Sequence, residues 1–193
     1  MGERLDWLIS VDDHIIEPPE LWQVRVPHKY RDRAPRVERI EGYDTWLYED
    51  LRTHVPGNMV CADKEPGDFS PLPVNYEDMR PGYYDSASRV ADMNVDGVLA
   101  AACFPTFPRF CGQVFTEAKD KDLALVCLQV YNDWIIDEWA GAAPGRFIPL
   151  IVLLMFVAAV TWRLSHPPDT VIRSKMAGKI GRASCRERVC HNV

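Results

Sequence analysis

The stretch Ile9-Ser10-Val11-Asp12-Asp13-His14-Ile15-Ile16-Glu17-Pro18-Pro19-Glu20-Leu21-Trp22 decides how the rest of the chain is read. It opens as a short apolar strand and ends in two carboxylates and an imidazole, and Pro18-Pro19 stops regular structure. Alternate side chains of a strand share a face, so Asp12 and His14 are expected to point the same way. An oxygen and a nitrogen donor side by side at a strand's carboxyl end suit a divalent cation such as Zn, Mn or Fe. A strand-end Asp also serves as the cap of a turn or of the next helix, and the spacing alone leaves both readings open.

Working outward, Glu20 to Tyr30 fits a short helix broken at Pro27. Residues 31–84 are rich in Pro, Gly and charge with scattered aromatics, and read as a long excursion. Within it Arg36–Ile40 is expected to pair with Thr45–Tyr48 around Glu41-Gly42. The excursion is either a lid or pocket wall, or a surface feature or oligomer contact. His28 and His54 read as ordinary loop histidines. Order returns at Tyr84: Asp85 is a candidate N-cap, Ala87, Val90, Ala91, Met93 and Val95 give an amphipathic helix, and Asp96-Gly97 ends it. Gly97 to Pro105 is a continuous apolar run, expected as a strand buried on both faces. Phe107 and Phe110 follow in a stiff Pro-rich loop. They pack against a substrate ring or against their own loop.

Between Glu117 and Trp139, Leu123, Val126, Cys127, Val130, Tyr131, Trp134 and Ile135 fall at helical spacing, with Asp120 and Asp122 at the positive end. Trp134 and Trp139 read as core. Asn132 and Asp133 read as solvated or as a partner contact. Gly141 and Pro144-Gly145 stop the helix, and Arg146 to Val152 reads as the next buried strand. Strands alternating with helices in this way imply an α/β fold with parallel strands.

The chain has 193 residues and a net charge of −6, which argues against a nucleic-acid partner. Met1 to Leu8 lacks the apolar core of a signal peptide, and six cysteines without C-x-x-C spacing read as reduced thiols. Both features point to a cytoplasmic protein. The sixteen mostly apolar residues Phe147 to Trp162 fall short of the ~20 that a membrane span needs, so no anchor is expected.

The opening stretch, together with "YDSASRVADMNVDGVLAAACFP" and "EAKDKDLALVCLQVYNDWIIDEWAGAAPGRFIPL", resembles the amidohydrolase-related family of the metal-dependent hydrolase superfamily. The likeness is to the branch of aminocarboxymuconate-semialdehyde and resorcylate decarboxylases, and it covers residues from about 8 to about 152. The resemblance implies a (β/α)8 TIM barrel of which this chain, too short for the ~250 residues of a full barrel, supplies the N-terminal part, about three βα steps. It implies that Asp12 and His14 are metal ligands, with an acidic residue in the first place where the superfamily more often has His. Glu17 would lie beside them or in the pocket wall. Phe107 and Phe110 are candidates for that wall, and the 31–84 insertion would lie at the catalytic face. The cofactor implied is one divalent metal, Zn, Mn or Fe, which lowers the pKa of bound water towards ~7 and polarises the substrate. The activity implied is a hydrolase or a non-hydrolytic decarboxylase (carboxy-lyase) acting on a small aromatic or conjugated carboxylic acid. An intact relative is expected to be a homo-oligomer.

The likeness ends near Val152. Residues 163–193 carry seven basic and two acidic residues, a net of +5; since the whole chain carries −6, the first 162 carry −11. Ile180 to Cys190 resembles the translation of a sequencing adapter. Residues 153–193 are therefore expected to be a non-native tail, from a frameshift or adapter read-through, after a partial barrel domain at 1–152. Such a fragment is expected to be inactive. The rival expectation is a non-enzymatic α/β module whose apolar segment and basic tail dock on a membrane or an acidic partner.

Overall fold

The computed structural model describes residues 8–62 and 64–153. The expectations placed on residues 154–193 lie outside the described residues. The apolar opening forms β1 (Leu8–His14), and the two later apolar runs form β6 (Val98–Phe104) and β7 (Phe147–Pro149). These make one parallel sheet in the order β1-β6-β7, with Leu8 opposite Val98 and Ala101 opposite Phe147. Each strand returns through a helical segment, as parallel pairing requires. The protein is thus a mixed α/β structure around a parallel sheet.

The first crossover helix, α2 (Ser86–Asp96), has the ends that the sequence specifies. The Asp85 carboxylate accepts the Ser88 N–H at 2.7 Å, and Gly97 takes the left-handed conformation (φ 72°) that stops the helix. The second crossover differs from the single helix expected between Glu117 and Trp139. It divides into α3 (Gln113–Glu117), α4 (Lys121–Asp133) and a π-helical segment, Trp134–Ala140. Asp120 is extended and caps α4 by accepting the Leu123 N–H at 3.0 Å, so no helix runs through it. The wide turn continues at Gly141, whose N–H reaches the Ile136 carbonyl at 3.0 Å. A Cβ there would stand 2.0 Å from the Asp137 oxygen.

β6 is not buried on both faces. On one face Ala101 and Cys103 are fully buried, whereas Val98, Ala102 and Phe104 on the other are only partly so. The helices cover the face that carries Ala101, Cys103 and Phe147, and among the described residues Ile148, opposite Ala102 on the other face, is 45% exposed. β7 is also shorter than the run 146–152. Beyond it the chain is held by a side chain: Asn132, expected on the solvated face, donates to the Val152 carbonyl at 2.9 Å and accepts its N–H at 2.8 Å.

The excursion is ordered. Following α1 (Leu21–Arg25) and a 3-10 turn over His28–Arg33, it builds an antiparallel sheet from β2 (Arg36–Ile40), β3 (Tyr43–Tyr48), β4 (Leu51–Pro56) and β5 (Pro73–Val74). The expected hairpin is present, with Ile40 opposite Tyr43 and positive φ at both Glu41 and Gly42. That is the two-residue turn whose twist suits a hairpin. β4 and β5 were not evident from the sequence. The excursion is tied to the crossover: Glu49, in the β3–β4 turn, accepts the N–H groups of Lys119 (2.7 Å) and Asp120 (2.8 Å), and Arg33 pairs with Asp120 at 2.6 Å. An aromatic core joins the layers. Trp22 sits 5.4 Å from Trp46 and 5.1 Å from Phe107, and its indole N–H donates to the Cys127 carbonyl at 2.8 Å. No helix among the described residues is long and apolar enough to cross a membrane.

Candidate metal centre and substrate cavity

The three consecutive polar residues that end β1 divide their work. Asp13 turns towards α2, where it pairs with Arg89 at 3.4 Å and accepts the Ser10 hydroxyl at 2.8 Å. Asp12 and His14 line a cavity of about 720 Å³ at the carboxyl end of the parallel sheet, which Asp13 does not border, and both also reach the cleft where Asp13 meets Arg89. The pairing register of β1 with β6 shifts between Ser10 and Asp13, the segment that holds Asp12. Among the described residues, no hydrogen bond or ion pair engages the Asp12 carboxylate. The His14 ring is 5.8 Å from that of Phe104. Two donors of the right chemistry thus face the cavity free of structural duties. They are an incomplete set, since no group of three or more His, Cys, Asp or Glu among the described residues is placed to hold a metal ion. The pair fits part of a metal site.

Glu17 is wholly buried. Its two carboxylate oxygens accept the N–H groups of Thr106 (3.0 Å) and Phe107 (2.9 Å), in the loop that leaves β6. Burial pushes its carboxyl up to about 7, although the two N–H bonds pull the other way. The Thr106 hydroxyl donates to the Ile15 carbonyl (2.6 Å), and the Tyr76 hydroxyl to the Glu17 carbonyl (2.6 Å). The segment after β1 and the loop after β6 are therefore locked together at the cavity floor.

Phe107 and Phe110 part company. Both border the cavity, but Phe107 is 4% exposed and packs on Trp22, Trp46 and Phe115, whereas Phe110 is 82% exposed. Phe110 is flanked by Arg109 (φ 59°, ψ −174°) and Cys111 (φ 52°). The Arg109 conformation belongs almost solely to glycine and costs on the order of 1–3 kcal/mol for any other residue. Arg109 also borders the cavity, and sequence reasoning missed it, because a backbone conformation leaves no local signature in a residue of this type. Trp46, Thr53 and His54 from the excursion line the opposite wall. The His54 ring lies 3.2 Å from the Thr45 hydroxyl, which occupies its Nδ1 side. Its place on the wall follows from β4, whose period-two alternation is short and interrupted.

No protein-family model matches the chain, and no curated protein matches it. Among solved structures, the chain is similar to an amidohydrolase from Mycobacterium avium subsp. paratuberculosis K-10, at 19% identity and a TM-score of 0.54. The match covers 75% of this chain and 42% of that one, so this chain spans less than half the length of the amidohydrolase. At that identity the likeness is one of fold: the described architecture is shared with part of an amidohydrolase.

Proposed function

We propose that this chain is part of a metal-dependent enzyme of the amidohydrolase superfamily, a hydrolase or carboxy-lyase acting on a small aromatic or conjugated carboxylic acid. Three parallel strands taken in chain order, with helices on one face, fit the first βα steps of a (β/α)8 barrel. The observation that carries the reading is the split among Asp12, Asp13 and His14. Asp13 is spent on Arg89, while the carboxylate and imidazole two residues apart are presented to a cavity of ligand-binding size. Asp12 and His14 would hold a divalent cation in part, and the cation would supply Lewis acidity at the cavity floor. Glu17 fixes the loop that walls the site. Trp46, Phe104 and Phe110 give the apolar surface that takes a flat substrate and excludes water.

Titration calorimetry with Zn²⁺ or Mn²⁺ tests this directly. The Asp12→Asn and His14→Asn variants are each expected to weaken cation binding at least about tenfold. Asp13→Asn should leave it unchanged, because that carboxylate faces α2. Equal effects of the Asp12 and Asp13 substitutions, or no binding by the parent chain, would overturn the assignment.

A further inference from the structure

We infer that Arg109 forms an anion subsite in this cavity, which grips the carboxylate of a small molecule whose flat apolar body lies against Trp46, Phe104 and Phe110. The inference deepens the proposed function and rests on it for the placing of the reacting end near Asp12 and His14. It starts from a mismatch between residue and backbone. At φ 59° and ψ −174°, position 109 is one that glycine would occupy without strain. A long charged side chain there is unfavourable for folding, and a strained position of this kind beside a cavity points to use of the side chain.

Among the described residues that side chain has no structural employment. Among the described residues no acid pairs with Arg109, whereas Arg25, Arg33, Arg36, Arg39 and Arg89 all have carboxylate partners. Arg109, an exposed residue, borders a cavity whose other walls are mainly apolar and aromatic. The two acids of that cavity are otherwise occupied: Glu17 by the Thr106 and Phe107 N–H groups, and Asp12 by the role proposed for it above. A planar fork of donors is the side chain best matched to a carboxylate, which it can bind through two parallel hydrogen bonds. The loop is anchored on both sides of the arginine. Glu17 clamps Thr106 and Phe107, and the Val114 N–H returns to the Pro108 carbonyl at 3.3 Å. The guanidinium therefore projects from a fixed base, which lowers the entropic cost of ordering a ligand on it.

The test uses the whole chain, freed of metal with a chelator, and titrates benzoate and its neutral isostere benzamide by calorimetry. Benzoate is expected to bind at least about threefold more tightly than benzamide, the discrimination that a charge-assisted pair gives on an arginine open to solvent. Arg109→Gly should erase that preference while leaving the melting temperature unchanged or raised, since glycine suits the backbone there. Arg109→Lys should retain part of it. A preference that survives in Arg109→Gly, or benzoate binding no tighter than benzamide in the parent chain, would overturn the subsite. The measurement is made without metal, so it stands or falls independently of the cation titration, which alone decides the fate of Asp12 and His14.

Discussion

At the scale of single residues, the molecule's least ordinary group is the Glu17 carboxyl. Among the described residues no cation pairs with it, and its two oxygens are met by two backbone N–H groups. Because its folded value, about 7, lies above the ordinary 4.5, the folded state holds a proton that the unfolded chain gives up between those values. Its contribution is therefore complete below pH 4.5 and is lost as pH rises through 7, a change of roughly 3 kcal/mol. Urea unfolding of the parent chain should show stability falling across that window. Glu17→Gln should flatten the fall, at some constant cost, because an amide can accept only one of the two N–H groups. Identical slopes for parent and variant would mean that Glu17 is not the group that titrates. The sequence stretch placed Glu17 near the candidate ligands but held no sign of this task, which depends on a loop about ninety residues away. That Asp12 and His14 border the same cavity, by contrast, could be expected from strand period, although the period assigns them no role. Arg109 could not, since φ at a non-glycine position is imposed by tertiary structure.

Elements were legible where their signals are local. The helix α2 is capped by Asp85 and closed by Gly97, both adjacent in sequence to what they terminate. Replacing Asp85 with Ala should cost about 1 kcal/mol. Its carboxyl is held below the usual range by the Ser88 hydrogen bonds, so the difference from the parent should shrink as acid protonates it. A shift of the urea midpoint at neutral pH with unchanged slope would register the loss, and no shift would show that the cap contributes nothing. The β2–β3 hairpin was equally legible from Glu41-Gly42. The start of α4 at Asp120 was legible too, but its passage into a π turn was not, because apolar spacing continues smoothly from Leu123 to Trp139 while the backbone changes at Trp134. β4 escaped notice for the opposite reason. Leu51–Pro56 carries charge and a terminal proline, and its strand conformation is owed to pairing with β3. Nor could a period count show that the second face of β6 stays open, since a parallel strand looks the same in sequence whether one layer or two cover it.

At the scale of the whole molecule, two kinds of sheet are joined. The antiparallel excursion is built from neighbours in sequence, and one wall of the cavity comes from it. The parallel sheet, which carries the candidate ligands, is built from distant segments: Leu8 must find Val98, and Ala101 must find Phe147. Close contacts between near neighbours form readily, whereas distant pairings must first close a long loop. Pulse-labelled hydrogen exchange during refolding should therefore protect the β2–β3 amides before those of β1 and β6. Simultaneous protection would instead indicate a single nucleus spanning both sheets.

This arrangement of strands also sets a schedule for a chain leaving the ribosome. β1 emerges with Ile9, Val11 and its successors Ile15 and Ile16 all apolar, yet its partner β6 is encoded about ninety residues later. At ~5–20 residues per second, β1 waits roughly 5–20 s for β6. During that interval the excursion can complete its own sheet, but the strand bearing Asp12 and His14 remains a free sticky end. The segment that matters most to the proposed chemistry is thus the one most exposed, in the nascent chain, to capture by chaperones or by another copy of itself.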